Sequence, residues 1–142
     1  MAESINEYRW DDLTVGLKHS FDATFTSEMV DAFAHLSGDV NPLHVDRDYA
    51  VAAGFSGPVI FGMMSSSLYS RLVGVYVPGK YALLQGMDIN FHHPCFVGDT
   101  LTVTGEIVFL GGALRQMEIK ANIRNQHGKL ISKALIRAGM HD

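Results

Sequence analysis

Cysteine is nearly absent from this sequence, which has a single one, Cys95, among 142 residues. One cysteine cannot form an intramolecular disulfide, so nothing in the chain requires an oxidising compartment. Long apolar runs are missing too, because no stretch approaches the roughly 20 residues that span a bilayer. The start of the chain, MAESINEYRWDDL, is polar and acidic, unlike a signal peptide. These absences predict a soluble, cytoplasmic protein with no membrane partner.

Positive charge is also scarce, because 11 lysines and arginines stand against 15 aspartates and glutamates and give a net charge of −4. A nucleic-acid-binding protein normally shows a basic face, so we expect no nucleic-acid partner. Charged residues make up 18% of the chain and hydrophobic residues 47%, which is typical of a globular protein. At this length folding buries roughly 70% of the unfolded chain's surface. The sequence therefore predicts a single domain over 1–142.

Several sequence motifs of known chemistry are missing as well. The chain has neither the G-x-S-x-G elbow of serine hydrolases nor the glycine-rich loops that bind nucleotides. A zinc site needs three or four ligands, and the adjacent His92 and His93 would face opposite sides of a strand. Cys95 follows Pro94 in a loop and is expected to be a structural thiol rather than a nucleophile. We therefore predict neither a metal nor a cofactor.

The chain does contain helical patterns in its first half and strand patterns in its second half. Thr26 can cap a helix over 27–36, and Gly38 follows it as a stop. A second long helix begins at Gly62 and carries small residues, which let a helix approach a sheet closely. The patterns predict strands over 13–21, 81–91, 100–110, 113–123 and 129–139, a short helix over 46–53 and the second long helix over 62–73. This indicates an α+β domain in which a long antiparallel sheet wraps around one buried helix.

The segment SGDVNPLHVD, residues 37–46, holds an acid and a histidine on a stiff turn. Pro42 fixes its own backbone and restricts Asn41 to extended conformations, so we expect this pair in neither a helix nor a strand. Asp39 accepts hydrogen bonds when it is ionised, and the imidazole of His44 exchanges a proton near neutral pH. Two such groups can hold one water and move its proton. The alternative is an ordinary turn followed by a histidine that is satisfied in the core.

The segment Phe61-Gly62-Met63 stands where the second long helix is predicted to begin. The first N–H groups of a helix have no partner within it and lie at the positive end of its dipole. Glycine lets a substrate atom come close, so Gly62 is a candidate donor to an oxyanion. The alternative is plain helix capping. Taken with Asp39 and His44, such a donor suggests a site that adds water next to a polarised carbonyl.

In these segments the sequence closely resembles a known family. FAHLSGDVNPLHVDRDYA is similar to the signature of the MaoC-like, (R)-specific enoyl-CoA hydratases (hydratase 2), whose core is Asp-x-Asn-Pro-Leu-His. GPVIFGMMSSSLYS and FHHPCFVGDTLTVTGEI resemble the central helix and the following strand of that family, and the similarity runs over residues 10–138. The resemblance implies a hot-dog fold, usually dimeric, and the reversible hydration of trans-2-enoyl thioesters to (3R)-3-hydroxyacyl thioesters.

The resemblance also implies roles for single residues. Asp39 and His44 match the catalytic pair of the family, and Gly62 matches the backbone donor to the thioester oxygen. The family often has histidine at the position of Phe61, so this chain lacks a polar side chain near the thioester. The residues expected to order the turn, support the site or bind substrate are Asn41, Phe61, Met63 and Ser70.

Other functions remain open for the same site. One is a dehydratase that acts on (3R)-hydroxyacyl groups of acyl carrier protein or on polyketides. Another is a non-catalytic hot-dog domain that binds an acyl thioester or a partner chain, although the intact Asp39, Asn41 and His44 argue against it. With 11 lysines and arginines, no basic cluster distinguishes coenzyme A from a carrier protein. We predict a homodimeric hydro-lyase of fatty acid metabolism whose substrate is an acyl thioester and which needs no further cofactor.

Overall fold

A computed structural model describes residues 4–142 of the chain. Its helices are α1 (Ser27–Ser37), α2 (Pro42–Val45), α3 (Arg47–Ala52) and α4 (Gly62–Arg71), and its strands are β1 (Lys18–Ala23), β2 (Ala82–Phe91), β3 (Leu101–Gly111), β4 (Gln116–Arg124) and β5 (Leu130–Met140). A 3₁₀ turn at Trp10–Asp12 and a π-helical turn at Leu72–Tyr76 complete the elements. No helix among the described residues is long and apolar enough to cross a membrane.

The five strands form one antiparallel sheet in the order β1-β3-β4-β5-β2. Hairpins join β3 to β4 and β4 to β5, at the two turns that the sequence predicted. The first strand was predicted over 13–21 and begins later, at Lys18, because Gly16 adopts a φ of +97° and turns the chain. β2 lies at the far edge beside β5, a neighbour that local sequence does not reveal.

Helix α4 lies in the curve of this sheet and is largely buried. Its buried residues are Met64, Ser65, Ser66, Leu68 and Tyr69. The π-helical turn that follows brings Leu72 against β3, where a methyl group on Gly105 would lie 2.5 Å from Leu72 Cδ2. A side chain at this position would therefore force Leu72, which is fully buried, to move. The predicted α+β architecture, a long antiparallel sheet wrapped around one helix as in the hot-dog fold, is confirmed.

One buried polar contact joins α4 to the sheet. The hydroxyl groups of Tyr69 and Ser132 lie 2.7 Å apart, and neither residue is exposed. Burial raises the pKa of Tyr69 to about 12, although the hydrogen bond to Ser132 opposes this shift. The phenol is therefore protonated at neutral pH and completes its hydrogen bonding inside the core.

We expect this pair to behave as a unit in stability measurements. Ser132→Ala and Tyr69→Phe each leave one buried hydroxyl unpaired, so each should lower the free energy of unfolding by about 1–3 kcal/mol. The double variant leaves no unpaired group and should lose less than the sum of the two single losses. Urea denaturation followed by circular dichroism, at one protein concentration, measures all four proteins. Additive losses would show that the two hydroxyls do not depend on each other.

Candidate active site

The segment that carries Asp39 follows the C-terminus of α1. Gly38 ends that helix with a φ of +74°, a conformation that favours glycine. The carboxylate Oδ1 of Asp39 accepts a hydrogen bond from the backbone N–H of Asn41 at 3.1 Å. The backbone N–H of Asp39 donates to the hydroxyl of Ser37, also at 3.1 Å. Asp39 is thus held by hydrogen bonds to its own chain, while the residue remains exposed.

The pair Asn41-Pro42 begins a helix, so the prediction that it would lie outside any helix was wrong. Asn41 is the N-cap of α2, and its side-chain oxygen accepts a hydrogen bond from the N–H of Leu43 at 3.0 Å. Pro42 occupies the first helical position, where an N–H would have no helical partner. The segment between Asp39 and His44 is therefore rigid, as predicted, but because it is a capped helical turn rather than an irregular one.

His44 lies on α2, one residue after Leu43, and is half-buried. Its Nδ1 is 2.6 Å from the carbonyl oxygen of Val59. Because a carbonyl oxygen only accepts, Nδ1 carries the proton in this hydrogen bond and Nε2 keeps a lone pair when the ring is neutral. One face of the imidazole stacks on Phe61, with ring centroids 4.3 Å apart. The imidazole is thus oriented by a backbone acceptor and an aromatic ring.

Gly62 is the first residue of α4, and Phe61 is its N-cap. At that position the N–H has no partner within the helix and lies at the positive end of the helix dipole. The hydroxyls of Ser65 and Ser66 both donate to the carbonyl oxygen of Gly62, at 2.9 and 2.7 Å. Phe91 covers the other side, because a methyl group on Gly62 would lie 3.1 Å from its ring. Among residues 4–142 the N–H of Gly62 has no hydrogen-bond partner, so it is available as a donor to a ligand.

Two clefts meet at Gly62. The first, of about 260 Å³, contains Asp39, and the second, of about 340 Å³, contains His44. Gly62 and Phe91 line both clefts. Two larger depressions, of about 390 and 450 Å³, lie on the strands and contain none of the predicted site residues. The start of α4 therefore lies between the two titratable side chains, an arrangement suited to acid–base chemistry on a group bound at Gly62.

The remaining predicted site residues differ in their positions. Phe61 and the exposed Met63 line the first cleft together with Asp39. Ser70 is exposed near the end of α4 and lines neither cleft. Asn41 lines neither cleft and caps α2 instead. The first cleft therefore joins Asp39, Phe61 and Met63, His44 lines the second, and the supporting roles of Asn41 and Ser70 stay predictions.

Neither the histidine pair nor the cysteine forms a further reactive centre. His92 and His93 follow the end of β2 rather than lying in it, and both line the second cleft. Within residues 4–142 no group of three or more His, Cys, Asp or Glu side chains could hold a metal ion. Burial raises the pKa of Cys95 to about 12, and the charge of Asp99 adds to the shift. The thiol is thus protonated at neutral pH and unreactive.

Sequence reasoning missed two groups at this site. Val59 contributes only its carbonyl oxygen, and a backbone acceptor leaves no trace in residue type. Phe91 is the last residue of β2 and is 54% exposed. Its position over Gly62 is set by the pairing of β2 with β5, which local sequence does not reveal. An aromatic residue at a strand end next to His92 was the available signal.

Comparisons with known proteins support the family resemblance and the fold. The sequence model of the family described as MaoC like domain matches residues 13–128. An (R)-specific enoyl-CoA hydratase of Aeromonas caviae is 41% identical over 98 residues, 69% of this chain and 73% of that protein. A mitochondrial 3-hydroxyacyl-[acyl-carrier-protein] dehydratase of Arabidopsis thaliana is 36% identical over 77 residues, 54% of this chain and 45% of that protein. The solved structure of an (R)-hydratase from A. caviae superimposes with a TM-score of 0.87 and 34% identity, over 91% of this chain and 98% of that one.

Proposed function

Because this chain belongs to the MaoC-like family, we propose that it is a hydro-lyase that reversibly hydrates trans-2-enoyl-CoA thioesters to (3R)-3-hydroxyacyl thioesters. The observation that carries the proposal is the position of Gly62 between the clefts of Asp39 and His44. A backbone donor, an acid and an imidazole around one point are the groups that addition of water beside a carbonyl requires.

In the proposed reaction the thioester oxygen accepts a hydrogen bond from the N–H of Gly62. As water adds to C3 the thioester becomes an enolate, and its oxygen gains negative charge. A donor aimed at such an oxygen stabilises the transition state by roughly 3–4 kcal/mol. The helix dipole adds to this effect because Gly62 is the first residue of α4.

Asp39 and His44 hold and activate the water. The carboxylate accepts one hydrogen bond from the water, and Nε2 of His44 accepts the proton that leaves as the oxygen bonds to C3. The same pair returns a proton to C2, so one water is consumed and no charge is left on the enzyme. Acid–base help of this kind contributes roughly 10²–10⁴ in rate. The reaction transfers no electrons and includes no metal, so the proposal needs no cofactor beyond the carrier of the acyl group.

A second candidate is the dehydration of 3-hydroxyacyl groups on acyl carrier protein. The similarity to the dehydratase of A. thaliana favours it, and the same groups serve the reverse reaction. A binding-only domain would not need both Asp39 and His44. Enoyl thioesters of graded acyl length, presented on coenzyme A and on acyl carrier protein, distinguish these candidates when the enoyl absorbance is followed. If the chain is an enoyl-CoA hydratase, the coenzyme A thioesters should be consumed. If it is a dehydratase of carrier-protein substrates, only the carrier-protein thioesters should react.

The roles of Asp39 and His44 predict a loss of turnover without a loss of fold. Asp39→Asn keeps the shape but removes the charge, and His44→Ala removes the proton carrier, so each should lower kcat at least about 100-fold. The double variant should lose little more, because groups that act as a unit are not additive. Steady-state hydration of trans-2-butenoyl-CoA measures the effect.

Two exposed residues near these positions in the sequence provide controls. Asp48→Asn and His35→Ala make the same chemical changes on α3 and α1 and should leave kcat unchanged. Circular dichroism establishes that every variant is folded. Turnover near that of the wild type in either Asp39→Asn or His44→Ala would exclude the proposed mechanism and favour the binding-only domain.

A substitution at Gly62 separates the donor from simple capping. Gly62→Pro deletes the N–H at a helical position that tolerates proline, whereas Gly62→Ala keeps the N–H. Both introduce a Cβ against Phe91, so alanine is a matched control for that contact. The proline variant should have a kcat roughly 10²–10³ lower than the alanine variant, with a smaller change in KM. Values of kcat that agree within about threefold in two folded variants would locate the donor elsewhere.

The proposal includes a homodimer in the cytoplasm. β2 is a ten-residue edge strand that pairs only with β5 among the described residues, and Leu83 and Leu84 on it are each 48% exposed. Such an edge is normally covered, and a second copy of the chain would cover it. The single cysteine, Cys95, suits a reducing compartment.

Sedimentation equilibrium at micromolar concentration tests the dimer. We expect a mass about twice the 15.6 kDa of the chain. Leu84→Lys introduces a charge on β2 and should shift the protein toward the monomer, whereas Leu114→Lys in the loop between β3 and β4 should not. A monomeric wild type that still hydrates trans-2-butenoyl-CoA would show that the dimer is not needed for function.

A further inference from the structure

Phe61 directly precedes the proposed oxyanion donor, and its ring lies on the imidazole of His44. The two ring centroids are 4.3 Å apart and the ring planes differ by 26°, a stacked arrangement. The ring also contacts Phe33 of α1, with a centroid separation of 4.8 Å and an angle of 53° between the ring planes. Only 2% of Phe61 is exposed. The phenyl ring therefore fills the space between α1 and His44.

The imidazole of His44 is restrained at two places. Its Nδ1 bonds to the carbonyl oxygen of Val59 at 2.6 Å, which fixes one edge of the ring. Hydrogen bonds to carbonyl oxygens tolerate a broad range of directions, so this bond alone allows the imidazole to tilt. The flat ring of Phe61 supports one imidazole face and opposes that tilt. The two contacts together define the direction of Nε2.

A phenyl ring provides this support without competing for the proton. It has no hydrogen-bond donor or acceptor, unlike the histidine that the family often has at this position. Among residues 4–142, the imidazole of His44 has no hydrogen-bond partner besides Val59. Nε2 is therefore available to water, and burial against Phe61 keeps water from the stacked face.

We propose that Phe61 is a positioning residue for proton transfer by His44. It acts through the imidazole, and in this role it needs no contact with the reacting atoms. The inference rests on the proposed function, in which Nε2 exchanges a proton with the added water. Misplacing a reacting group by about 1 Å can cost roughly 100-fold in rate. Loss of the stack should therefore reduce kcat much more than it changes KM.

Phe61→Leu tests this inference, because leucine is apolar but cannot stack. Phe21→Leu is the matched control: Phe21 is 8% exposed and stacks on Tyr76 at a centroid distance of 4.7 Å, on β1 and outside both clefts. Both variants lose an aromatic contact in the core. With trans-2-butenoyl-CoA, we expect Phe61→Leu to lose at least about tenfold in kcat with KM within about threefold of the wild type. The control should keep wild-type kinetics.

Nuclear magnetic resonance of His44 provides a second readout that ordinary packing would not change. The ring signals of His44 are assigned by their loss in His44→Gln. In the wild type we expect the proton on Nδ1 of His44 and an upfield shift of the His44 ring protons caused by the ring current of Phe61. In Phe61→Leu the upfield shift should vanish and the ring signals should broaden as the imidazole tilts, while the bond to Val59 keeps the proton on Nδ1. Phe21→Leu should keep the wild-type spectrum.

A folded Phe61→Leu variant whose kcat lies within about threefold of Phe21→Leu would overturn the proposal. If leucine prevents folding, Phe61→Met replaces it, and the wild-type spectrum decides alone: a His44 ring without the upfield shift, or with its proton on Nε2, contradicts the proposal. A wild-type protein without hydratase activity would contradict the proposed function instead. The spectra would then still decide whether Phe61 orients His44.

Discussion

The packing of α4 against the sheet is the constraint on which the site depends. Leu72 packs closely on β3 where Gly105 has no side chain, and Tyr69 is hydrogen-bonded to Ser132 of β5. These contacts fix the second half of the helix and the turn that follows it. Since a helix is stiff, its first residue, Gly62, is fixed as well. The N–H at that end, which has no partner in the part of the chain that the structure describes, therefore lies at one place, between the two clefts.

The polar side chains of the site are held mainly by the backbone. Asp39 accepts from the N–H of Asn41, and Nδ1 of His44 donates to the carbonyl oxygen of Val59. Each contact uses one polar atom and leaves another, a carboxylate oxygen or Nε2, for a ligand. Phe61 completes the arrangement with a surface that offers no hydrogen bond. A site built in this way presents an acceptor and a proton carrier in fixed directions, as the addition of water requires.

Local sequence predicted the elements whose ends are marked by a capping residue or a turn glycine. Thr26 caps α1, Gly38 ends it with a positive φ, and glycine marks the hairpin after β3, so these bounds were readable. The pair Asn41-Pro42 was misjudged because asparagine and proline suit a turn and the first turn of a helix equally. The role of Val59 left no signal in the sequence because it is a backbone acceptor, and the aromatic residue at the end of β2 was only a weak signal for Phe91, whose position depends on the pairing of β2 with β5.

The configuration of the product tests this account most directly. The purified wild-type protein is incubated with trans-2-butenoyl-CoA, and the 3-hydroxybutyrate released from the product is resolved by chiral chromatography. The account predicts that the enoyl thioester is consumed and that only the 3R product forms. A 3S or racemic product, or an enoyl thioester left untouched by the folded protein, would contradict it.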